Sequence, residues 1–196
     1  MKRKEIKAAA RKQLGSGIFK NNWLLALLVL VIGAALTYVA GIFCGIGTIL
    51  VAGPINYALA KMFLKQSRDN EKMKIGEIFD GFKDDYGGTL ILDFLKGLFV
   101  VLWSLLLVVP GLIKSYSYAM ATYIKADHPE YGWKQCITES RKMMNGNKWK
   151  LFIQDLSFIG WYIVGGICFG VGTLWVNAYY TAARSQFYLS LVKEAE

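Results

Sequence analysis

Residues 23–60 read WLLALLVLVIGAALTYVAGIFCGIGTILVAGPINYALA, thirty-eight positions without one charged side chain. As a continuous helix at about 1.5 Å per residue the stretch would run about 57 Å, against roughly 30 Å of bilayer hydrocarbon. One span cannot use that length, but two spans joined by a tight turn can. Gly41, Gly45 and Gly47 lie near the midpoint, and glycine is a residue that lets a chain reverse sharply. The stretch therefore predicts a transmembrane helical hairpin.

The rest of the composition agrees. The chain has 196 residues and is 55% hydrophobic before its 20 glycines are counted. Soluble domains run about 45–50% apolar with glycine included. The length suits a single integral membrane domain over 1–196. A net charge of +9 can serve nucleic acid or the cytoplasmic face of a membrane; the uncharged stretch decides for the membrane and against nucleic acid.

The basic N-terminus followed by an apolar run imitates a secretory signal. The run is too long for one, and Tyr38 spoils a cleavage site after Ala40. A lipoprotein reading at Cys44 fails on Phe43, so Met1–Asn22 is expected to be retained. Cys44, Cys136 and Cys168 have no metal-type spacing, and His128 is the single histidine. That argues against a zinc site, a Ser-His-Asp triad and any cofactor. A disulfide between Cys44 and Cys168 needs suitable geometry, and Cys136 is expected to stay reduced.

A pattern repeats every 63 residues. Phe19-Lys20-Asn21-Asn22-Trp23 is followed by Phe82-Lys83-Asp84-Asp85-Tyr86 and by Asn145-Gly146-Asn147-Lys148-Trp149. Each is a polar stretch closed by an aromatic residue that opens an apolar segment. Trp23, Tyr86 and Trp149 are thus candidate anchors at the membrane–water boundary. The turn sequences recur too: Gly41–Thr48 and Gly166–Thr173 agree at five of eight positions, and Pro110-Gly111 falls where the middle turn belongs. The spacings Gly41/Gly45 and Gly166/Gly170 suit either turns or close helix contact.

Each copy begins with an amphipathic stretch: Ile6, Ala10, Leu14, Ile18; then Ile75, Ile78, Phe79, Phe82; then Trp133, Ile137, Ser140, Met144. These read as helices lying in the membrane interface, with connecting helices in water as the alternative. The predicted architecture is all-α: three hairpins, each preceded by an interfacial amphipathic helix. The pseudo-repeats cover approximately 1–65, 66–128 and 129–196. Successive copies, two spans apart, keep one orientation, as in parallel-repeat membrane proteins; chance likeness among apolar helices is the plainer alternative.

The spans fall near 23–43, 46–64, 89–109, 112–126, 150–167 and 171–190. Basic residues crowd the N-terminus and the two long connections, while the three turns hold Lys114 alone. Lysine and arginine concentrate in cytoplasmic loops. A bacterial cell-membrane protein with both termini cytoplasmic follows, its basic face turned to anionic lipid. Segment 112–126 is the shortest, and is expected to be tilted or partly re-entrant if it does not span. Five spans would place the basic segment around Arg141 outside.

A charge at mid-bilayer costs roughly 2.5–3.5 kcal/mol on insertion scales. Asp155 and Arg184 lie equally far from the last turn, near Phe169/Gly170. In an antiparallel hairpin they share one depth, so a salt bridge is expected, directly or through Asn177. Asp93 and Lys96, three apart, share a helix face. Lys114 is expected to snorkel outward. Tyr116, Tyr118, Tyr123, Tyr179 and Tyr180 suit packing and anchoring, or the lining of a ligand path.

Three strings carry a resemblance: Pro110–Tyr118 (PGLIKSYSY); Ser140–Gly146 (SRKMMNG) running on through Lys148–Phe152 (KWKLF); and Asp155–Trp161 (DLSFIGW). Together the chain resembles, over nearly its whole length, the bacterial integral membrane proteins grouped as domain of unknown function 975. Where those proteins often have proline, this chain has Ala178, which implies a straighter last helix. More distantly it is similar to the membrane part of some glycerophosphodiester phosphodiesterases, which is not their catalytic domain. The resemblance implies a multi-pass membrane protein and brings no catalytic residue.

Three functions compete. A non-enzymatic envelope or membrane-organising protein, binding lipid, peptide or another membrane protein, fits the basic inner face best. A small transporter or permease would use the intramembrane charges as a path. An intramembrane enzyme lacks a span histidine or a nucleophile–base pair. Substrate and oligomeric state have no sequence signature.

Overall fold

The computed structural model describes residues 3–15, 21–41, 46–69, 72–167 and 171–195. Among them all regular structure is helical: α1 (Arg3–Leu14), α2 (Asn21–Gly41), α3 (Ile46–Asp69), a 3-10 turn (Ile75–Phe79), α4 (Asp80–Lys83), α5 (Tyr86–Leu106), α6 (Val108–Ser117), α7 (Ala121–Asp127), α8 (Trp133–Met143), α9 (Lys148–Ile167) and α10 (Val171–Ala195). Three of these helices are long and apolar enough to cross a bilayer, over Asn22–Val39, Gly47–Asp69 and Tyr86–Leu105. Residues 42–45 and 168–170 of the repeated turns lie outside the described residues, and with them Cys44, Cys168 and the disulfide considered between them.

The helices form two compact units interleaved along the chain. Unit 1 comprises Met1–Ala35, Met62–Ile78 and Lys150–Glu196; unit 2 comprises Leu36–Lys61 and Phe79–Trp149. In unit 1, α1 packs along α10; in unit 2, α5 packs against α6, α7 and α8.

The longest helices are buried unevenly along their length. On α3, Ile49 and Leu50 are exposed, whereas Tyr57, Ala58, Met62 and Phe63 are buried. On α10, Leu174 is partly exposed and Ala182, Ala183, Phe187 and Tyr188 are buried. The half of each helix nearer its turn thus presents apolar surface, and the far half is packed in protein. On α5 only 11% of Tyr86–Leu105 is buried, against 50% of Gly47–Asp69. Leu105, Leu107, Val108 and Val109 are each at least 65% exposed, an apolar patch of the kind that marks a membrane or partner surface.

Two sequence expectations are corrected. The apolar faces of the first and third amphipathic helices are covered by protein. Ile6, Ala10 and Leu14 of α1 are 3%, 0% and 0% exposed, and Cys136, Ile137, Ser140 and Met144 around α8 are buried likewise. A face occupied by protein cannot insert into a bilayer. Of the short middle stretch, Ile78 is buried while Ile75 and Phe79 stay exposed. α1 ends at Gly15, whose φ of 97° is the left-handed conformation glycine favours at helix ends.

The middle turn is not made by Pro110-Gly111. The chain breaks at Leu107, extended at φ −159°, ψ 139°, and Pro110 sits in the first turn of α6. Proline is tolerated there because an N–H in the first turn has no intrahelical acceptor. Gly111 has another use: a Cβ there would run into Ser104 Oγ, so glycine lets α6 lie close on α5. Segment 112–126 is also divided, by a turn at 118–120 between α6 and α7.

Close approach of α9 and α10 is made at Gly165 and Gly172, while Gly170 of the Gly166/Gly170 spacing lies outside the described residues. A Cβ on Gly172 would lie 2.7 Å from Gly165 Cα, while one on Gly166 meets nothing within 4 Å.

Candidate functional site

In unit 1 the α9/α10 register is fixed by two polar pairs. Arg184 Nη2 donates to Asp155 Oδ2 at 2.8 Å, and Tyr162 OH donates to Asn177 Oδ1 at 2.6 Å. Both pairs straddle the turn symmetrically, as antiparallel helices require. Asn177 is therefore the partner of Tyr162. Asp155 and Arg184 are largely enclosed, 18% and 23% exposed at the side chain. The Arg184 guanidinium lies 4.9 Å from the Tyr180 ring centre, and Phe158 meets Tyr179 and Tyr180 edge-on at 5.1 and 5.4 Å.

α1 completes this cluster from the other side. Lys7 Nζ sits 4.4 Å from the Phe158 ring centre, Arg11 Nε donates to Tyr179 OH at 3.2 Å, and that hydroxyl donates to Lys7 O at 3.3 Å. One turn further, Gln13 is a buried hub. Its Nε2 donates to Phe63 O at 3.0 Å and Gln66 Oε1 at 3.2 Å, and its Oε1 accepts from Gln186 Nε2 at 3.1 Å. Asn22 Nδ2 adds a bond to Gln13 O at 3.2 Å. Beside it, Ser67 and Ser185 hydroxyls lie 3.1 Å apart. Trp23, rather than standing free, donates through Nε1 to Gly15 O at 3.2 Å and tilts against Tyr179.

In unit 2 the fasteners are ionic. Lys61 bridges Asp80 and Asp84 at 3.3 and 2.6 Å. Lys125, 2% exposed at the side chain, donates to Asp85 Oδ2 at 2.6 Å, Pro129 O at 2.7 Å and Tyr131 O at 2.9 Å. Asp85 is also the N-cap of α5, accepting from Gly88 N–H at 2.9 Å. The Lys125 ammonium, then the Gly88 N–H, hold the Asp85 carboxyl below its usual pKa. Nearby, burial pushes the Cys136 thiol up to about 11, which leaves it protonated and unreactive at neutral pH.

Asp93 and Lys96 do pair, Nζ to Oδ1 at 2.6 Å. They are not alone: Lys96 reaches Thr122 Oγ1 at 3.1 Å, and Asn56 Nδ2 reaches Asp93 Oδ2 at 3.4 Å. A small cleft beside them is lined by Gly53, Tyr57, Thr89, Leu92, Asp93 and Thr122, with Lys125. Lys114 folds back over the Trp103 ring, 4.6 Å from its centre. Trp149 is 67% exposed.

Tyr86 has a specific task. Pro54 within α3 has no N–H to offer the carbonyl four residues back. That carbonyl is Leu50 O, and Tyr86 OH donates to it at 3.3 Å.

The arrangement can neutralise charge, bind helices together and hold cations over aromatic faces. Lys125, Gln13, Gln66 and Gln186 were not singled out in the sequence. Gln13 carried a faint signal, as the one neutral polar residue on the Ile6–Ala10–Leu14 face.

No curated protein and no solved structure matches the chain. A family model does match, over residues 1–114 and 104–195. With its all-helical fold, its apolar spans and this coverage, the chain belongs to the family described as protein of unknown function (DUF975).

Proposed function

We propose that this is a bacterial membrane protein of three helical hairpins, six segments of which the fourth, through α6 and α7, is short and partly re-entrant, with both termini cytoplasmic, acting without catalysis as a membrane-organising or accessory protein. Its partners are lipid, a peptide or another membrane protein. The observation that carries this reading is the closure of the helix-borne charges on one another, Asp155 with Arg184 and Asp93 with Lys96. Charges committed to neighbours fasten helices, and a polar group in lipid needs such a partner.

The test is a charge cycle on purified protein in mild detergent. Asp155→Asn and Arg184→Gln should each lower the denaturation midpoint, and the swap D155R/R184D should recover part of the loss. A swapped protein that folds fully and loses solute uptake would instead favour a permease. One observation favours that second reading: Gln154 is 1% exposed and its side-chain amide makes no hydrogen bond to the described protein atoms. Reporter fusions at each connection test the topology.

A further inference from the structure

We propose that α1 is a fixed ridge that binds anionic phospholipid headgroups, and that this activity belongs to unit 1. The inference rests on the membrane reading above and names one partner and one surface for it.

Three observations converge. The first is charge. Unit 1 contains fourteen Lys and Arg against seven Asp and Glu, and unit 2 contains nine against seven. The net charge of +9 is thus concentrated in unit 1. Interleaving hides this along the sequence, where the basic residues look evenly spread.

The second is orientation. Lys4, Glu5, Ala8, Arg11 and Lys12 of α1 are exposed and lie on one side of a helix by their spacing, three cations against one carboxylate. The opposite side, Ile6, Ala10 and Leu14, is buried. Gln13 and the Arg11–Tyr179 bond hold the helix against rotation. The ridge is therefore preorganised, and little ordering entropy opposes binding.

The third is adjacency. Lys7 reaches Ser157 O at 3.5 Å and the Phe158 ring. On both sides of that contact α9 exposes apolar side chains, Leu156 at 53% and Ile159, Trp161 and Ile163 at 51%, 49% and 61%. α1 thus borders the exposed apolar surface of α9, and on the membrane reading its cations lie beside lipid. Cations there are attracted to anionic lipid, and the attraction decays within a Debye length.

The test uses full-length protein in detergent, supplied with equal phosphatidylglycerol and phosphatidylcholine, with retained lipids counted by native mass spectrometry. Wild type should retain phosphatidylglycerol preferentially. K4Q/K12Q should lower that preference roughly ten- to thirty-fold, from two lost cation contributions. The control K83Q/R141Q, exposed positions of unit 2, should leave it within about twofold, a limit taken from the small worth of dispersed surface charge. Equal losses in both variants, or no preference in wild type, would overturn the proposal. So would displacement of the lipid by millimolar inorganic phosphate, which would assign a free-anion site. A circular-dichroism melt of K4Q/K12Q matching wild type separates lost binding from lost fold. A chain that is monodisperse without detergent would sink the membrane reading itself.

Discussion

The two units are fastened by different chemistry. Unit 1 is held by neutral amides, hydroxyls and cations over rings, with Gln13 at its hub and one enclosed ion pair. Unit 2 is held by lysines closed on aspartates: Lys61 on Asp80 and Asp84, Lys96 on Asp93, Lys125 on Asp85. The bonds of unit 1 also join residues up to 173 positions apart. The difference teaches how each unit spends its charge. Unit 2 closes Lys61, Lys96 and Lys125 on its own aspartates, keeps other cations such as Lys83 and Arg141 exposed, and is nearly balanced in net charge. Unit 1 uses neutral groups inside and leaves cations on the surface.

This contrast can be broken most sharply at Lys125. Lys125→Ala removes an ammonium with three partners and leaves two carbonyls and a carboxylate short of a donor. It should cost about 3 kcal/mol, read as a lowered midpoint in a detergent-based unfolding titration. A neutral result would mean that water replaces the ammonium freely and that the ionic description of unit 2 is wrong.

Gln13→Ala attacks the neutral hub and should cost about 2 kcal/mol. Protease cleavage near Gly15 should rise with it as α1 loosens. If cleavage stays at the wild-type rate, packing of Ile6 and Leu14 alone holds the helix.

Tyr86→Phe is a smaller change, about 1 kcal/mol, because it orphans only Leu50 O. The proline makes it specific. In a Pro54→Ala background an amide N–H becomes available to that carbonyl, so the cost of Y86F should shrink toward zero. Equal costs in both backgrounds would separate Tyr86 from the proline.

The smallest expected effect is on pH. Asp85 titrates below its ordinary value in the folded chain, so its contribution is complete above the unfolded pKa of about 4. It is lost only as pH falls through the lower folded value. The gap between wild type and Asp85→Asn should therefore stay flat from about pH 8 to about pH 5, and close in stronger acid. A gap that already narrows near neutrality would contradict the Lys125–Asp85 geometry.

Much of the helical layout is legible in the sequence, because apolar runs and turn glycines are local signals. The depth match of Asp155 and Arg184 is legible too, since an antiparallel hairpin converts equal distance from the turn into contact. The docking of α1 is not, as Gln13 meets Gln66 and Gln186 through tertiary packing that no periodicity encodes. Lys125 reads as a connection cation until the loop through Pro129 and Tyr131 folds over it. Pro110-Gly111 carries the usual turn composition, yet proline in a first helical turn and glycine under a close contact leave the same two letters.

The interleaving of the units also orders their assembly on the ribosome. Every residue of unit 2 precedes Lys150, so its last segment is made before α9 and α10 exist. Unit 1 needs the final helix, since Gln186 and Tyr179 are the partners of Gln13 and Arg11. The first helix synthesised is thus the one that waits longest for its seat. A nascent chain halted at Trp149 contains every residue of unit 2, and an α1 whose partners Phe63 and Gln66 are made but whose seat on α10 is not.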